Sequence, residues 1–235
     1  VGSYAFTPSG VNHHERDQIK QFLEDHVSRN AIEGYLALFD QLVKSIPPKS
    51  SEDAERMHLR TLCAEIMPEL TQKQKVIILL EILRIVQADK NVSKRETDLV
   101  NEIGTTLRVL PEEQEAVSVF VLGSKATALD HPAILLVDAN PADHLQYAKH
   151  ILRPHLHGVL AVLYLEQSDI YFIKYLGNTS VFLNGVPVQS GKINVLAVGS
   201  LLRWDKDEPV YYGDLLNKLK QLGNYPRLTF EASNI

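Results

Sequence analysis

Val76-Ile-Ile-Leu-Leu-Glu-Ile-Leu-Arg-Ile-Val-Gln-Ala-Asp-Lys-Asn-Val-Ser-Lys-Arg-Glu96 joins an apolar run to a turn and then to a helix start, and the fold of the first half follows from it. Wound at 3.6 residues per turn, the stretch from Val76 to Val86 keeps almost no polar face, so it is expected to form the central post of a helical bundle. Glu81 and Arg84 interrupt the run, which is too short to cross a bilayer. Ser93 stands three residues before Glu96, the spacing at which a hydroxyl and a carboxylate each satisfy an orphan amide proton at a helix start. The same signal recurs at Asn12 with Glu15, Asn30 with Glu33 and Thr71 with Gln74. It predicts helices over 13–28, 31–46, 52–69, 72–88, 94–107 and 111–121.

Beyond about Pro132 the apolar period falls from 3.6 to two. Ile170 and Phe172 alternate with Tyr171, Ile173 and Tyr175, which puts the two sets on opposite faces of one strand. Asn184-Gly185 is a hairpin turn signal, because both central residues of such a turn need positive φ. Strands are predicted over 133–138, 147–152, 157–166, 169–176, 180–184, 192–197 and 199–204, with a short closing helix near 211–221. This number and spacing suit a small sandwich. The expected fold class is therefore α+β in two domains: an all-α bundle over 1–122, an all-β sandwich over 132–222, and in 223–235 the start of a following domain.

Composition narrows the function classes. Of 235 residues, 45% are apolar, enough to bury a core. The net charge of −5 belongs to the first half: residues 1–120 carry 14 basic and 19 acidic side chains, residues 121–235 ten of each. Without a basic stripe, nucleic-acid binding is not expected. No signal segment or spanning run is present, so the reading is a cytoplasmic protein, or the cytoplasmic part of a membrane protein, with no direct membrane insertion in this segment. Cys63 is the one cysteine, which rules out an intrachain disulfide and a cysteine-based zinc site.

An offset of 81 residues aligns Val11, Glu15, Ile19 and Phe22 with Val92, Glu96, Val100 and Ile103, so the bundle is expected to hold two related helix pairs. The first copy would need residues ahead of Val1, and the stretch from Leu228 to Ile235 reads as a strand entering something further on; both suggest a segment of a longer chain. The stretch from Ile85 to Glu96 resembles the signature of TerB-like domains, helical bundles of the tellurite-resistance type that are also similar to the N-terminal part of some membrane-bound co-chaperones. Asn91 and Pro8 depart from that family's turn glycine and turn aspartate, so the acidic surface it implies is half present, at Asp89, Asn91 and Glu96.

The stretch from Tyr175 to Gly185, followed by Val195-Leu-Ala-Val-Gly-Ser-Leu-Leu-Arg203, resembles the second half of a forkhead-associated (FHA) domain, which implies a phosphothreonine-reading fold. Arg153 and the loop Asn178-Thr179-Ser180 fall where that pocket's residues are expected, but Pro154 stands in place of its serine, so the pocket is expected to be degenerate. Bundle, sandwich and trailing strand in this order resemble the region ahead of the nucleotide-binding cassette in some bacterial ABC-transporter-like ATP-binding proteins.

Other constellations carry less. The stretch from Gly185 to Lys192 resembles a phosphate-binding loop but has five residues between its glycines and no following Ser or Thr. Asp89, Asn91, Ser93 and Glu96 are spaced like the opening of a calcium loop, yet Lys94 stands at its glycine position and no distal bidentate acid follows. His155 and His157, alternating on an expected strand, lack a third ligand, and Ser180, Asp169 and His157 sit in no nucleophile context. The expectation is a non-enzyme with no cofactor and no bound metal: a regulatory or protein-interaction region that docks a protein partner or a downstream ATPase domain of the same chain. A metal- or phosphopeptide-sensing module is the alternative.

Overall fold

A computed structural model describes residues 52–87, 93–142, 145–204 and 209–220, together with isolated helical positions between 16 and 40. The two predicted leading helices lie largely outside the described residues, and the capping signals at Asn12 and Asn30, the turn carrying Asp89 and Asn91, and residues 221–235 lie outside them altogether.

Helix α1 (Glu52–Ile66) passes into a 3-10 turn at Met67–Glu69. Pro68 explains why the predicted helix stops short of 69: it lacks the N–H that an α turn needs. Helix α2 (Gln72–Gln87) begins on the expected box, with Thr71 N–H donating to Gln74 Oε1 at 2.9 Å and Gln74 N–H to Thr71 Oγ1 at 3.3 Å. From Val76 to Gln87 none of its residues is exposed, so it is the post that its sequence implied. Helix α3 (Lys94–Thr106) carries the full Ser93–Glu96 capping box. It ends on a Schellman turn, Arg108 N–H donating to Thr105 O at 3.0 Å and Val109 N–H to Gly104 O at 2.9 Å, with Arg108 itself at φ 57°. Helix α4 (Pro111–Leu122) opens with proline at its first position, where a missing N–H costs nothing.

The second half holds nine strands among the described residues. They are β1 (Ile134–Asp138), β2 (Lys149–Leu152), β3 (Gly158–Leu165), β4 (Ile170–Gly177), β5 (Phe182–Leu183), β6 (Val186–Pro187), β7 (Ile193–Val195), β8 (Leu201–Arg203) and β9 (Val210–Tyr211), followed by helix α5 (Tyr212–Lys220). One sheet runs β2-β1-β3-β4-β7 and the other β6-β5-β8-β9. The β1–β2 pair is parallel, Leu136 facing His150 and Asp138 facing Leu152. Asn184 and Gly185, at φ 52° and 82°, make the predicted two-residue turn of the β5–β6 hairpin. Leu135, Val137, Leu160, Val162, Tyr171 and Ile173 from the first sheet share one core with Leu202 and Val210 from the second and Leu215 and Leu219 from α5, which makes the pair of sheets a sandwich. The chain is thus α+β in two parts.

By internal contacts the chain forms two compact units. The first comprises Val1–Gly123 together with Leu165–Ile170, the turn between β3 and β4; the second comprises Ser124–Tyr164 and Tyr171–Ile235. Within the first unit the Glu113 carboxylate, 5% exposed, accepts the N–H groups of Gln167 and Ser168 at 3.1 and 3.2 Å and the Ser168 hydroxyl at 2.9 Å. Among the described residues no helix is long and apolar enough to cross a membrane.

Candidate functional site

Tyr175 organises the loops at one end of the sandwich. Its position in β4 buries the ring, 1% exposed, in the sandwich core and delivers the hydroxyl to the strand's end. There the hydroxyl donates to the His157 carbonyl at 2.7 Å and accepts the Thr179 N–H at 2.9 Å, while Thr179 Oγ1 donates to the same carbonyl at 3.1 Å. The turn between β2 and β3 and the loop between β4 and β5 are therefore tied through one phenol. Two glycines make the approach possible. A Cβ on Gly177 would stand 2.6 Å from His157 O, and one on Gly158 2.6 Å from Leu176 O; Gly158 also adopts φ +127°, which L side chains rarely enter.

Within this frame Asn178 and Ser180 are exposed on either side of a half-buried Thr179. Thr179, expected as a binding residue, spends both its N–H and its hydroxyl on the brace. Arg153 lies in the neighbouring turn: its N–H donates to Asp138 O at 2.7 Å and its carbonyl accepts the Leu156 N–H at 3.1 Å. Its Nη1 reaches the adjacent Leu152 carbonyl at 3.4 Å, and its buried Nε has no hydrogen-bond partner. The fold brings the Arg153 turn and the 178–180 loop together through His157, but no hydrogen bond among the described residues joins the guanidinium to that loop. One expectation needs correction: His155 and His157 do not alternate along a strand. They sit in the turn before β3, because Pro154 and Gly158 break the extended run, so the shared face assumed for them does not exist.

Of the acidic set in the helical unit, Asp89 and Asn91 lie outside the described residues. Glu96 is 8% exposed, and its Oε2 accepts both the N–H and the hydroxyl of Ser93, each at 2.7 Å, so that oxygen is committed to the helix start. Among the described residues no group of three or more His, Cys, Asp or Glu side chains is placed to hold a metal ion.

Several polar positions escaped sequence reading. Asp138, fully buried at the end of β1, accepts the Asn140 N–H on Oδ1 at 2.7 Å and has His150 Nε2 at 3.2 Å from the same oxygen. Its Oδ2 has no partner. Asp130 gathers the N–H groups of Gln146, Tyr147 and Ala148 at 2.7 to 2.8 Å and so shapes the entry to β2. Lys174 is 3% exposed in β4, and burial pushes its pKa down to about 8. Nothing local distinguishes these residues; the signal for Tyr175 was a tyrosine two residues ahead of a glycine at a strand end.

No curated protein and no solved structure matches this chain. Residues 7–118 match the family described as Tellurite resistance protein TerB, so the helical first half is similar to that family, ahead of a β-rich second half.

Proposed function

We propose that this chain is a non-catalytic regulatory and protein-interaction region, in which the TerB-like region and the sandwich dock a protein partner or an ATPase domain of the same polypeptide. The observation that carries the reading is the Tyr175 brace, which ties down the loop on which Asn178 and Ser180 are exposed, beside the Arg153 turn, the arrangement by which sandwich folds present binding loops. The TerB match supports an interaction module in the first half. The order of elements is similar to that ahead of the cassette in ABC-transporter-like ATP-binding proteins, and the sandwich is read as FHA-like with a degenerate pocket. Mixing the purified chain with the purified ATPase tests it: a changed ATP turnover that Asn178→Asp with Ser180→Asp abolishes is expected. Unchanged turnover together with no complex by analytical ultracentrifugation would overturn the reading.

The sensing alternative has one favourable observation, the buried and unpartnered Nε of Arg153, which is the type of donor an anion engages. Pro154 supplies neither a side-chain donor nor an N–H to complete a phosphate cradle, so phosphothreonine peptides are expected to bind at millimolar strength or weaker. Micromolar binding lost in Arg153→Ala would favour the alternative.

A further inference from the structure

A strand at the rim of a sheet points half of its N–H and C=O groups away from its neighbour, and the sandwich has four such rims: β2 and β7 in the five-stranded sheet, β6 and β9 in the other. Two of them are closed. Pro187, the outward residue of β6, has no N–H, and the outward N–H of Tyr211 in β9 donates to Asp214 Oδ2 at 3.1 Å. On β2 the Arg153 N–H bonds Asp138 O. In the parallel register this turns residues 149, 151 and 153 toward β1 and aims the N–H and C=O of His150 and Leu152 off the edge. Neither of those two N–H groups has a partner among the described residues, and Leu152 O receives only Arg153 Nη1 at 3.4 Å.

The two faces beside this edge differ. Ile151 packs against the sandwich core, so Lys149, two residues before it, shares that face, and its ammonium donates to Leu219 O at the end of α5. Burial and then the Lys218 ammonium push the Lys149 pKa down, and neither lysine joins an ion pair among the described residues. Asp138 and Asp130 do not neutralise them: the first is fully buried against His150, and the second holds the N–H groups of Gln146, Tyr147 and Ala148. On the opposite face Leu152 is 51% exposed.

We propose that β2 takes up an extended segment of a partner protein as an added strand, one whose residues alternate apolar and acidic, the apolar ones beside Leu152 and the acidic ones beside Lys149 and Lys218. It rests on the protein-interaction reading and names the surface and the partner's chemistry. The open backbone groups of His150 and Leu152 supply affinity, and the alternation supplies the choice of partner. Cross-strand neighbours then pair carbon with carbon on one face and opposite charges on the other, which neither an all-apolar nor an all-acidic segment achieves. Residues 121–235 carry ten basic and ten acidic side chains, so no surplus of negative charge opposes the approach.

The test follows backbone amide exchange of the whole chain with a six-residue peptide alternating valine and glutamate. Exchange at His150 and Leu152 is expected to slow about tenfold or more at saturation, with no change at Val195, an outward residue of the open β7 edge. A peptide with glutamine for glutamate is expected to bind about tenfold more weakly, and a fully N-methylated peptide, which has no N–H to pair, not at all. Lys218→Gln, at an exposed position, is expected to weaken binding severalfold, and Leu152→Pro, which deletes one outward N–H, to abolish it. The N-methylated peptide leaves the protein untouched, so it decides the matter even where Leu152→Pro lowers stability. Unslowed exchange at His150 and Leu152, slowing at Val195 in their place, indifference to Lys218→Gln, or equal binding by either control peptide would each overturn the proposal. If that came while the ATPase response persisted, the edge assignment would fall and the interaction reading would stand.

Discussion

Replacing Tyr175 by phenylalanine deletes one oxygen and leaves the buried ring in place, so the apolar burial of the sandwich core is unchanged. What is lost is a donor to the His157 carbonyl and the acceptor of the Thr179 N–H. The carbonyl keeps the Thr179 hydroxyl, but the Thr179 N–H loses its partner at a half-buried position. A lost hydrogen bond costs about 1 kcal/mol, and an unsatisfied buried donor about 1–3 kcal/mol, so the combined destabilisation is expected near ~2 kcal/mol. Trp204, the sole tryptophan, is 3% exposed in the same core, and its fluorescence during urea unfolding reports on the β unit alone. The midpoint should fall at unchanged slope, and amide exchange at Thr179 should accelerate. Tyr211→Phe, at a 58% exposed ring, serves as the neutral control. A loss under about 0.5 kcal/mol with unaltered exchange at Thr179 would refute the brace.

Gly104→Ala in α3 would set a Cβ 2.6 Å from Cδ of Gln114, whose Nε2 makes a buried 2.7 Å bond to Val109 O; a loss of about 1–3 kcal/mol is expected in helical-unit melting, and a neutral result would show that Gln114 yields freely. Lys174 bears on pH. Its folded pKa near 8 lies below the unfolded 10.5, so between those values the unfolded chain holds a proton that the folded chain has released, and stability rises with pH across that window by up to about 3 kcal/mol. Burial pushes the Tyr171 hydroxyl the other way, above its usual range, so its opposing effect begins only above about pH 10. Lys174→Met should flatten the rise of the urea midpoint between pH 8 and 10, and an identical slope in both proteins would count against a buried ammonium.

What the sequence discloses is mostly local. Ser93 with Glu96, Thr71 with Gln74 and Asn184-Gly185 each close hydrogen bonds or turns within four residues, and each stands where its spacing put it. The apolar run from Val76 and the alternation along Ile170–Gly177 gave the bundle post and an interior strand of the five-stranded sheet for the same reason. The short strands β6 and β9 were missed: Pro187 reads as a break, and Val210–Tyr211 is two residues long. Less legible were polar groups whose partners are far along the chain. Glu113 reads as an ordinary first-turn acid after Pro111, favourable at a helix start, and nothing nearby says that residues 167 and 168 complete it. The candidate loop was found by resemblance, while its brace depends on His157 and Tyr175 meeting across 18 residues.

The discontinuous make-up of the helical unit sets an order on its birth at the ribosome. Val1–Gly123 emerges first, but Leu165–Ile170 follows roughly fifty residues later, a delay of several seconds at about 5–20 residues per second. During that interval the two amide protons and the hydroxyl that the Glu113 carboxylate accepts in the folded unit have not yet been made. A fragment that stops at Gly123 lacks the Gln167 and Ser168 partners of Glu113 altogether.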